Sequence, residues 1–560
     1  MPESGQAVDR RPAAKLGRLR TLLLALVVAG LFGAHLTSEL KQNREPGFPL
    51  DDAWIHLTFA RNLARGWGFA YNQGEPVAGS TAPLWTFILA IFHVFTRSAA
   101  AMVTTAKLLG AAFLFVASIF ALRIAARITG SGWTGLAAGL AVATLGPLGW
   151  AMMSGMEVTL SVALTLAGIY YYLRFRSGWR STLAWVLFGL AAWSRPESLL
   201  LAPLAALDAL LRRLALKQRP AFWRGFGAWS IIVLAWLGFN HSLSGTPFPL
   251  TYLAKAGRTS LFSAIAGRSL PQLGKLLTGG APSYLTGFCT HVWHANPILC
   301  LLAAVGLVEL VFSALRSRQE GGLLIPLVVL GYAPLIGMVS PSYGAAFQNG
   351  RYIGNVTALA TVVAIIGVAC IWRWIRPRVP RLAMVLTLST LALFNAVTVG
   401  AATVRNTARA ESSINQMHVK LGQWLAVNTP TGATLACNDV GAIGYFSQRR
   451  IFDLSGLVTE EFVGYRQDRE GFMSFFRRWR PDFLAIFPAA YPGLRNAPFL
   501  AAVASVEVED NIAILRDFPP RPRAVAGLLI LDLAIQPMPV TMTVYRCNWD
   551  LLPPPEAESR

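Results

Sequence analysis

Residues 46–85 read PGFPLDDAWIHLTFARNLARGWGFAYNQGEPVAGSTAPLW and follow the first strongly apolar segment of a 560-residue chain. The stretch begins with two adjacent carboxylates, Asp51 and Asp52, continues as a helix-like run and ends in residues typical of turns. Because the chain around it is largely apolar, the paired acids single out this loop as the place to look for a chemical role.

The composition is that of a membrane protein. Hydrophobic residues make up 54% of the chain and charged residues 14%, and the mean hydropathy is +0.48, which is too apolar for a soluble enzyme of this size. The formal charge of +21 comes mostly from arginines in short loops, where the positive-inside rule places them. No basic stripe with interleaved aromatic residues appears, so we expect no nucleic-acid partner.

Hydropathy and loop charge together predict a polytopic α-helical protein with about eleven transmembrane helices. The basic N-terminus lies in the cytoplasm, the first outer loop covers residues 38–100, and the segment PLWTFILAIFHVF lies on the outer interface. The segments LAWVLFGLAAW and SLLLAPLAALDALLRR form two short helices around an outer hairpin. The remaining spans are predicted near residues 21–36, 102–122, 132–152, 158–174, 228–242, 297–315, 323–339, 353–372 and 383–399.

Because the number of spans is odd, the C-terminus lies outside the cytoplasm. The chain is therefore predicted to comprise a transmembrane domain, residues 1–400, and an extracytoplasmic α/β domain, residues 401–560. In the second domain NQMHVKLGQWLAVNTP predicts an amphipathic helix, and TLACNDV, RRIFDLSG and PDFLAIF predict strands. Outside the cytoplasm, Cys437 and Cys547 could pair; the alternative is that both are buried apolar residues.

The same topology collects polar residues on the outer side of the membrane. They are Asp51, Asp52, Glu157, Arg195, Glu197, Lys255, His291, His294 and Arg351. Outer loops are usually poor in Arg and Lys, so the presence of Arg195, Lys255 and Arg351 on this side requires an explanation. Carboxylates and cations at one membrane depth suit transfer from a lipid-linked phosphate donor, in which a carboxylate takes the proton of an acceptor hydroxyl and the cations hold the phosphate.

Six motifs carry a resemblance over nearly the whole chain. In order they are the DDAWIHLTFARNLARGWGFAYNQGEPVAGSTAPLW stretch, SGMEVTL, WSRPESLLL, GTPFPLTYLAK, QNGRYI and VNTPTGATLACNDVGAIGYFSQRRIFDLSGL. This order resembles GT-C fold glycosyltransferases, most closely the AftB-like arabinofuranosyltransferase group. In similar chains the lysine motif often has Asn where this sequence has Leu250.

The resemblance implies an inverting glycosyltransferase of the bacterial cytoplasmic membrane. It would move a sugar, arabinofuranose in the AftB-like group, from a polyprenyl-phosphate donor to a cell-envelope glycan or lipid acceptor on the outer face. The base would be Asp51 or Asp52, and similar enzymes favour Asp51. Donor phosphate and substrate are expected to contact a set of polar residues, which are Arg351, Lys255, Arg195, Glu197, Glu157, Arg61 and Tyr352.

Several of these residues also have structural interpretations. The Asp that is not the base is a suitable N-cap for the helix beginning near Ala53. Glu157 is favourable at a helix N-terminus, and Arg195 and Glu197 could satisfy each other in a buried hairpin.

The remaining polar candidates are open to similar alternatives. Arg61 lies opposite an apolar helical stripe, which predicts a helix along the membrane interface where this arginine meets lipid headgroups or the donor. Lys255 follows a turn where a solvated lysine is ordinary. His291 and His294 share a helical face without an apparent carboxylate partner, so no metal ligand is assigned, although a divalent metal is compatible with the chemistry.

Two other classes of function compete with the enzyme. A secondary transporter or flippase of envelope precursors would place ionisable groups near the bilayer midplane and show repeated halves; here the charges gather toward one face and no matching halves are visible. A non-catalytic scaffold would leave the outer carboxylates and cations without a shared purpose.

Overall fold

The computed structural model describes residues 11–175, 178–215, 222–256, 260–316, 322–340, 344–375, 400–465, 469–494, 496–511 and 538–552. Helices dominate as far as residue 375. In chain order they are α1 Arg11–Gln42, α2 Asp52–Ala64, α3 Pro83–His93, α4 Ala99–Thr129, α5 Gly132–Ala143, α6 Gly146–Met153, α7 Val158–Arg174, α8 Trp179–Ser194, α9 Leu201–Ala215, α10 Phe222–Ser244, α11 Leu250–Ala256, α12 Leu261–Ala266, α13 Leu270–Lys275, α14 Ala281–Ala295, α15 Pro297–Arg316, α16 Leu324–Val339, α17 Phe347–Gly350 and α18 Gly354–Ile375.

Among the described residues, five helices are long and apolar enough to cross a membrane: Leu16–Gln42 within α1, then α4, α10, α15 and α18. The bent pair α5 and α6, whose axes differ by 55°, would make a sixth span. The chain is thus a multi-pass membrane protein, as predicted. The predicted number of about eleven is larger because it also counts α7, α8, α9 and α16, which have only 17, 16, 15 and 16 residues, and the span 383–399, which lies outside the described residues.

Two short helices flank a 3₁₀ turn where the sequence predicted a hairpin. The helix α8 ends at Ser194, a 3₁₀ turn covers Pro196–Leu200, and α9 follows directly. Pro196 occupies the start of the 3₁₀ turn, where its missing N–H costs no hydrogen bond. Arg195 therefore lies directly after α8, and Glu197 lies in the 3₁₀ turn.

The C-terminal region, which begins at residue 401, combines helices with one sheet. Its helices are α19 Ala401–Ile414, α20 Lys420–Asn428, α21 Gly441–Ser447, α22 Glu460–Tyr465 and α23 Arg469–Trp479, and its strands are β1 Thr434–Cys437, β2 Arg450–Asp453, β3 Phe483–Ile486, β4 Leu500–Asn511 and β5 Met538–Cys547. The strand order is β2-β1-β3-β5-β4; β1 is parallel to β2 and β3, and β5 is antiparallel to both β3 and β4. The α/β character predicted from the sequence is confirmed.

The cysteines of this sheet are free thiols, Cys437 buried in β1 and Cys547 partly buried in β5. The strand β3 lies between β1 and β5, so the two residues belong to strands that do not neighbour each other. The structure therefore has the buried, unpaired arrangement that was the alternative to a disulfide.

The helix α2 was predicted to lie along the membrane interface, but in the structure it is buried within the protein. Every residue from Ala53 to Asn62 is buried, and the Trp54 ring packs 5.0 Å from the ring of Tyr445 in α21. Its polar face is covered by protein: Arg61 donates to the Tyr445 carbonyl at 2.6 Å, and Asn62 donates to the carbonyls of Ala70 and Tyr71. The stripe pattern predicted the apolar face correctly, but the opposite face meets the C-terminal region and its own loop.

A buried ion-pair cluster joins the C-terminal region to the membrane helices. Lys107 of α4 places its Nζ 2.7 Å from Glu39 Oε1 of α1 and 2.8 Å from Glu411 Oε1 of α19, and all three side chains are at most 1% exposed. Burial raises the pKa of Glu411 to about 8 although Lys107 opposes this. Burial thus favours the protonated form of Glu411.

We expect Lys107→Met to lower the free energy of unfolding by about 3–5 kcal/mol, because Glu39 would lose its cation in a buried site. Thermal unfolding in detergent measures the change. The matched control is Leu108→Met, since that neighbouring side chain is 52% exposed; equal melting temperatures for the two variants would contradict the assignment.

Candidate active site

The two adjacent aspartates point in different directions. Successive residues at a helix start are about 100° apart around the axis, and Asp51 directly precedes α2 while Asp52 begins it. One carboxylate is directed to the C-terminal region and the other to a cavity among the membrane helices, so the pair serves two separate environments.

Asp51 caps a helix, but a different one from the helix predicted. Its Oδ2 accepts the N–H of Gly441 at 2.7 Å and its Oδ1 accepts the N–H of Ala442 at 2.8 Å, both in the first turn of α21. Gly441 permits this approach, because a Cβ at that position would clash with the carbonyl and the carboxylate of Asp51. Burial raises the pKa of Asp51 to about 6, and the nearby His418 opposes that rise.

Asp52 forms a salt bridge inside the cavity. Its Oδ2 accepts from Arg351 Nη2 at 2.8 Å, and the Asp52 side chain is 27% exposed. Burial alone would raise the pKa of Asp52, but the charges of Arg351, Lys255 and His56 lower it to about 2. In the absence of a ligand the carboxylate is ionised and already bound to a cation.

A pocket among the membrane helices, which we name the charged cavity, opens beside Asp52. Its charged lining residues are Asp52, Glu157, Arg195, Glu197, Lys255 and Arg351. Apolar side chains complete the wall, among them Trp236 of α10, Phe262 of α12 and Ile336 of α16. A cavity with both kinds of lining can hold a molecule that has a charged headgroup and an apolar chain.

An ion-pair chain occupies one part of this lining. Arg195 donates to Glu157 Oε1 at 2.6 Å and to Glu197 Oε1 at 3.0 Å. The pKa of Glu157 would be raised by burial but is lowered to about 2 by Arg195 and His56. The expected pairing of Arg195 with Glu197 is therefore present, with Glu157 as a second partner, and most of the Arg195 charge is compensated within the protein.

Arg351 has more unused donors than Arg195, in which only the buried Nε lacks a hydrogen-bond partner. The Nη2 atom contacts Asp52 and, at 3.3 Å, the Tyr352 hydroxyl, whereas its buried Nε and Nη1 atoms have no hydrogen-bond partner. Its guanidinium lies 5.2 Å from the centre of the Tyr352 ring, and that of Arg195 lies 4.9 Å from it. A guanidinium 4% exposed with open donors in a cavity is suited to an oxyanion.

A left-handed turn sets the direction of Arg351. Gln348, Asn349 and Gly350 all have positive φ, at 47°, 58° and 70°. Such a run is costly for residues other than glycine. A Cβ at Gly350 would lie 2.7 Å from His291 Nε2, so the turn is also closely packed.

The structure brings together most of the residues predicted from the sequence. Six of the predicted set line the cavity with Asp52, namely Glu157, Arg195, Glu197, Lys255, Arg351 and Tyr352. Asp51 and Arg61 contact the C-terminal region instead. His291 lies behind the Gly350 turn, and His294 is exposed. Within the described part of the chain, no group of three His, Cys, Asp or Glu residues is arranged to hold a metal ion.

The sequence prediction missed His56, which also lines the cavity. It follows Asp52 by four residues on α2, and residues at that spacing share a helix face. This periodicity was the available signal. It carried no weight while the helix was expected to lie along the membrane surface.

Comparison with known proteins identifies the fold. A family model described as a domain of unknown function (DUF8728) matches residues 405–527, and no curated protein matches the sequence. The structure of the archaeal oligosaccharyltransferase AglB from Archaeoglobus fulgidus, in complex with an inhibitory peptide and a dolichol-phosphate, is similar at 10% identity and a TM-score of 0.58, over 85% of this chain and 70% of that chain.

ArnT from Cupriavidus metallidurans bound to undecaprenyl phosphate is similar at 12% identity and a TM-score of 0.55, over 93% of this chain and 98% of that chain. Its apo structure is similar at 12% identity and a TM-score of 0.54, over 97% and 100% of the two chains. At these identities the likeness concerns the fold. The chain has the GT-C fold, as the resemblance of its motifs predicted.

We expect Asp51→Ala to lower the free energy of unfolding by about 1–3 kcal/mol, because two buried N–H groups of α21 would lose their acceptor. Thermal unfolding and the rate of limited proteolysis in the C-terminal region measure the effect. Glu45→Gln is the control, since this exposed carboxylate lies in the same loop. Unchanged stability of Asp51→Ala would show that the contact does not hold the region in place.

Proposed function

We propose that the protein is a glycosyltransferase that moves a sugar from a polyprenyl-phosphate donor to an acceptor hydroxyl. The observation that carries the proposal is the Asp52–Arg351 pair, in which a carboxylate and a guanidinium with open donors face one cavity. Structures of the same fold hold dolichol-phosphate or undecaprenyl phosphate. A prenyl chain would lie along the apolar lining, with its phosphate at the charged residues.

In this reaction Asp52 is the general base. The acceptor oxygen attacks the anomeric carbon of the sugar while its proton passes to the Asp52 carboxylate. The bond between the anomeric carbon and the phosphate oxygen breaks, and the electron pair remains on the phosphate. Arg351, with Lys255 nearby, stabilises the charge that develops there. Attack opposite to the leaving phosphate inverts the anomeric configuration.

Asp52 is preferred over Asp51 on geometry. A base must reach the proton that it removes, and geometry is considered before pKa. Both oxygens of Asp51 are occupied by backbone N–H groups of α21, and Asp51 is 8% exposed. The raised pKa of Asp51 would suit a base at neutral pH, but its carboxylate does not line the cavity.

Donor binding would make Asp52 a stronger base. Without a ligand, Arg351 contributes to holding the pKa of Asp52 at about 2. A donor phosphate that takes up hydrogen bonds from Arg351 competes with Asp52 for the same guanidinium charge. The pKa of Asp52 then rises when the donor binds, so that basicity appears only in the complex that can react.

The finer assignments rest on the sequence. The positive-inside pattern supports a cytoplasmic N-terminus with the charged cavity and the C-terminal region on the outer face of a bacterial cytoplasmic membrane. The motif resemblance supports arabinofuranose as the sugar and a cell-envelope glycan or lipid as the acceptor.

We expect Asp52→Asn to reduce sugar transfer by at least about a hundredfold, because the amide cannot accept the acceptor proton. Asp51→Asn should keep most of the activity at temperatures where it remains folded. The measurement is transfer of radiolabelled sugar from a panel of polyprenyl-phosphate donors in membranes with matched protein levels. Loss of activity in Asp51→Asn alone would reassign the base to Asp51. If folded wild-type protein uses none of the donors, the result would favour the alternative function of a secondary transporter or flippase.

Arg351→Gln should weaken binding of undecaprenyl phosphate by about tenfold or more, since a charge-assisted hydrogen bond is lost. Binding to purified protein in detergent can be followed by the ligand-dependent rise in melting temperature. Arg65→Gln is the control, because this arginine of the same charge is exposed and lies outside the cavity lining. Equal weakening in both variants would point to nonspecific attraction.

A further inference from the structure

The six acidic and basic side chains that line the charged cavity balance one another. Its lining contains three carboxylates, Asp52, Glu157 and Glu197, and three cations, Arg195, Lys255 and Arg351. A polyprenyl-phosphate sugar brings one negative charge, and the polyprenyl monophosphate left after transfer carries up to two. An uncompensated charge in a partly buried site is costly. The six residues alone therefore provide no surplus cation for the phosphate.

His56 is a further lining residue, and its imidazole carries a positive charge when both ring nitrogens are protonated. Its side chain is 4% exposed and its Nε2 lies 3.2 Å from Glu157 Oε2. Its Nδ1 lies 3.0 Å from Ser80 Oγ, which in turn lies 3.0 Å from Thr86 Oγ1. The hydroxyl can accept from a protonated ring or donate to a neutral one, so both charge states are tolerated.

We infer that His56 supplies the missing positive charge of the donor site. With its imidazolium form the cavity lining has a net charge of +1, which matches the phosphodiester of a polyprenyl-phosphate sugar. The Glu157 carboxylate lies beside the ring, with its Oε2 3.2 Å from His56 Nε2. This role rests on the proposed function, since it assumes that the ligand of the cavity is a lipid phosphate.

His56 would attract the phosphate by its charge and would not bind it directly. Both ring nitrogens already have neighbours, so the effect on the phosphate is electrostatic attraction through the cavity and requires no direct contact. The electrostatic surroundings come from several elements: Asp52 one turn earlier on α2, Glu157 before α7, Arg195 beyond Glu157, and Lys255 and Tyr352 across the cavity. Ser80 and Thr86 are the uncharged polar neighbours.

The test is the pH dependence of binding of a probe with fixed charge. Undecaprenyl methyl phosphate is a phosphodiester whose single negative charge stays constant between pH 5.5 and 8.5, so its own titration cannot produce a profile. Binding to the full-length protein in nanodiscs is measured across this range. For the wild type we expect the dissociation constant to rise about tenfold with pH, as the ring loses its proton.

His56→Gln keeps a polar side chain but cannot become cationic. We expect it to bind the probe at pH 8.5 nearly as the wild type does, and to lack most of the tightening at pH 5.5. His93→Gln is the matched control, because His93 is a buried histidine of α3 outside the cavity lining. It should retain the wild-type profile.

The outcomes separate this inference from the proposed function. Binding of the probe by wild type and His56→Gln with the same pH profile would overturn the role of His56 and leave the glycosyltransferase proposal standing. A uniform loss of affinity at every pH in His56→Gln would show a purely structural role and would also overturn the inference. Absence of probe and donor binding in folded wild-type protein would refute the proposed function itself.

Discussion

The N-terminal end of α2 is the point on which the arrangement of the molecule depends. A helix start directs successive side chains to different sides, and here Asp51 binds the first turn of α21 while Asp52 enters the charged cavity. One short element therefore fixes the C-terminal region against the membrane helices and places a carboxylate beside Arg351. The two adjacent acids are explained by this double requirement.

The C-terminal region is joined to the membrane helices through polar contacts that are shielded from solvent. Arg61 reaches the Tyr445 carbonyl, and Lys107 bridges Glu39 and Glu411. Buried polar groups are costly when their partners are displaced, so these contacts specify one relative placement of the two parts. The start of α2, which carries Asp52, is held between them. A base on such a support needs little reorganisation when substrates bind.

The cavity combines charges that largely cancel one another with two guanidiniums that differ in how many of their donors are used, since Arg195 leaves only its Nε without a partner. Arg195 has two carboxylate partners, whereas Arg351 has one and keeps Nε and Nη1 available. This difference supports the proposal that Arg351, more than Arg195, binds the phosphate. Both guanidiniums lie near the Tyr352 ring, whose face attracts cations and so favours two like charges in one wall.

The sequence by itself determined the class of the protein, because apolar length and loop charge are local properties that the bilayer dictates. It also predicted the strands β1 to β3 and most of the cavity residues, because one-sided loop placement brings outer polar groups to a common depth. Only the tertiary structure decided the separate directions of Asp51 and Asp52, the burial of both faces of α2 and the place of His56. These depend on contacts between segments that are distant in the sequence, such as Asp51 with Gly441 and His56 with Glu157. Local periodicity does not show which partner will cover a polar face.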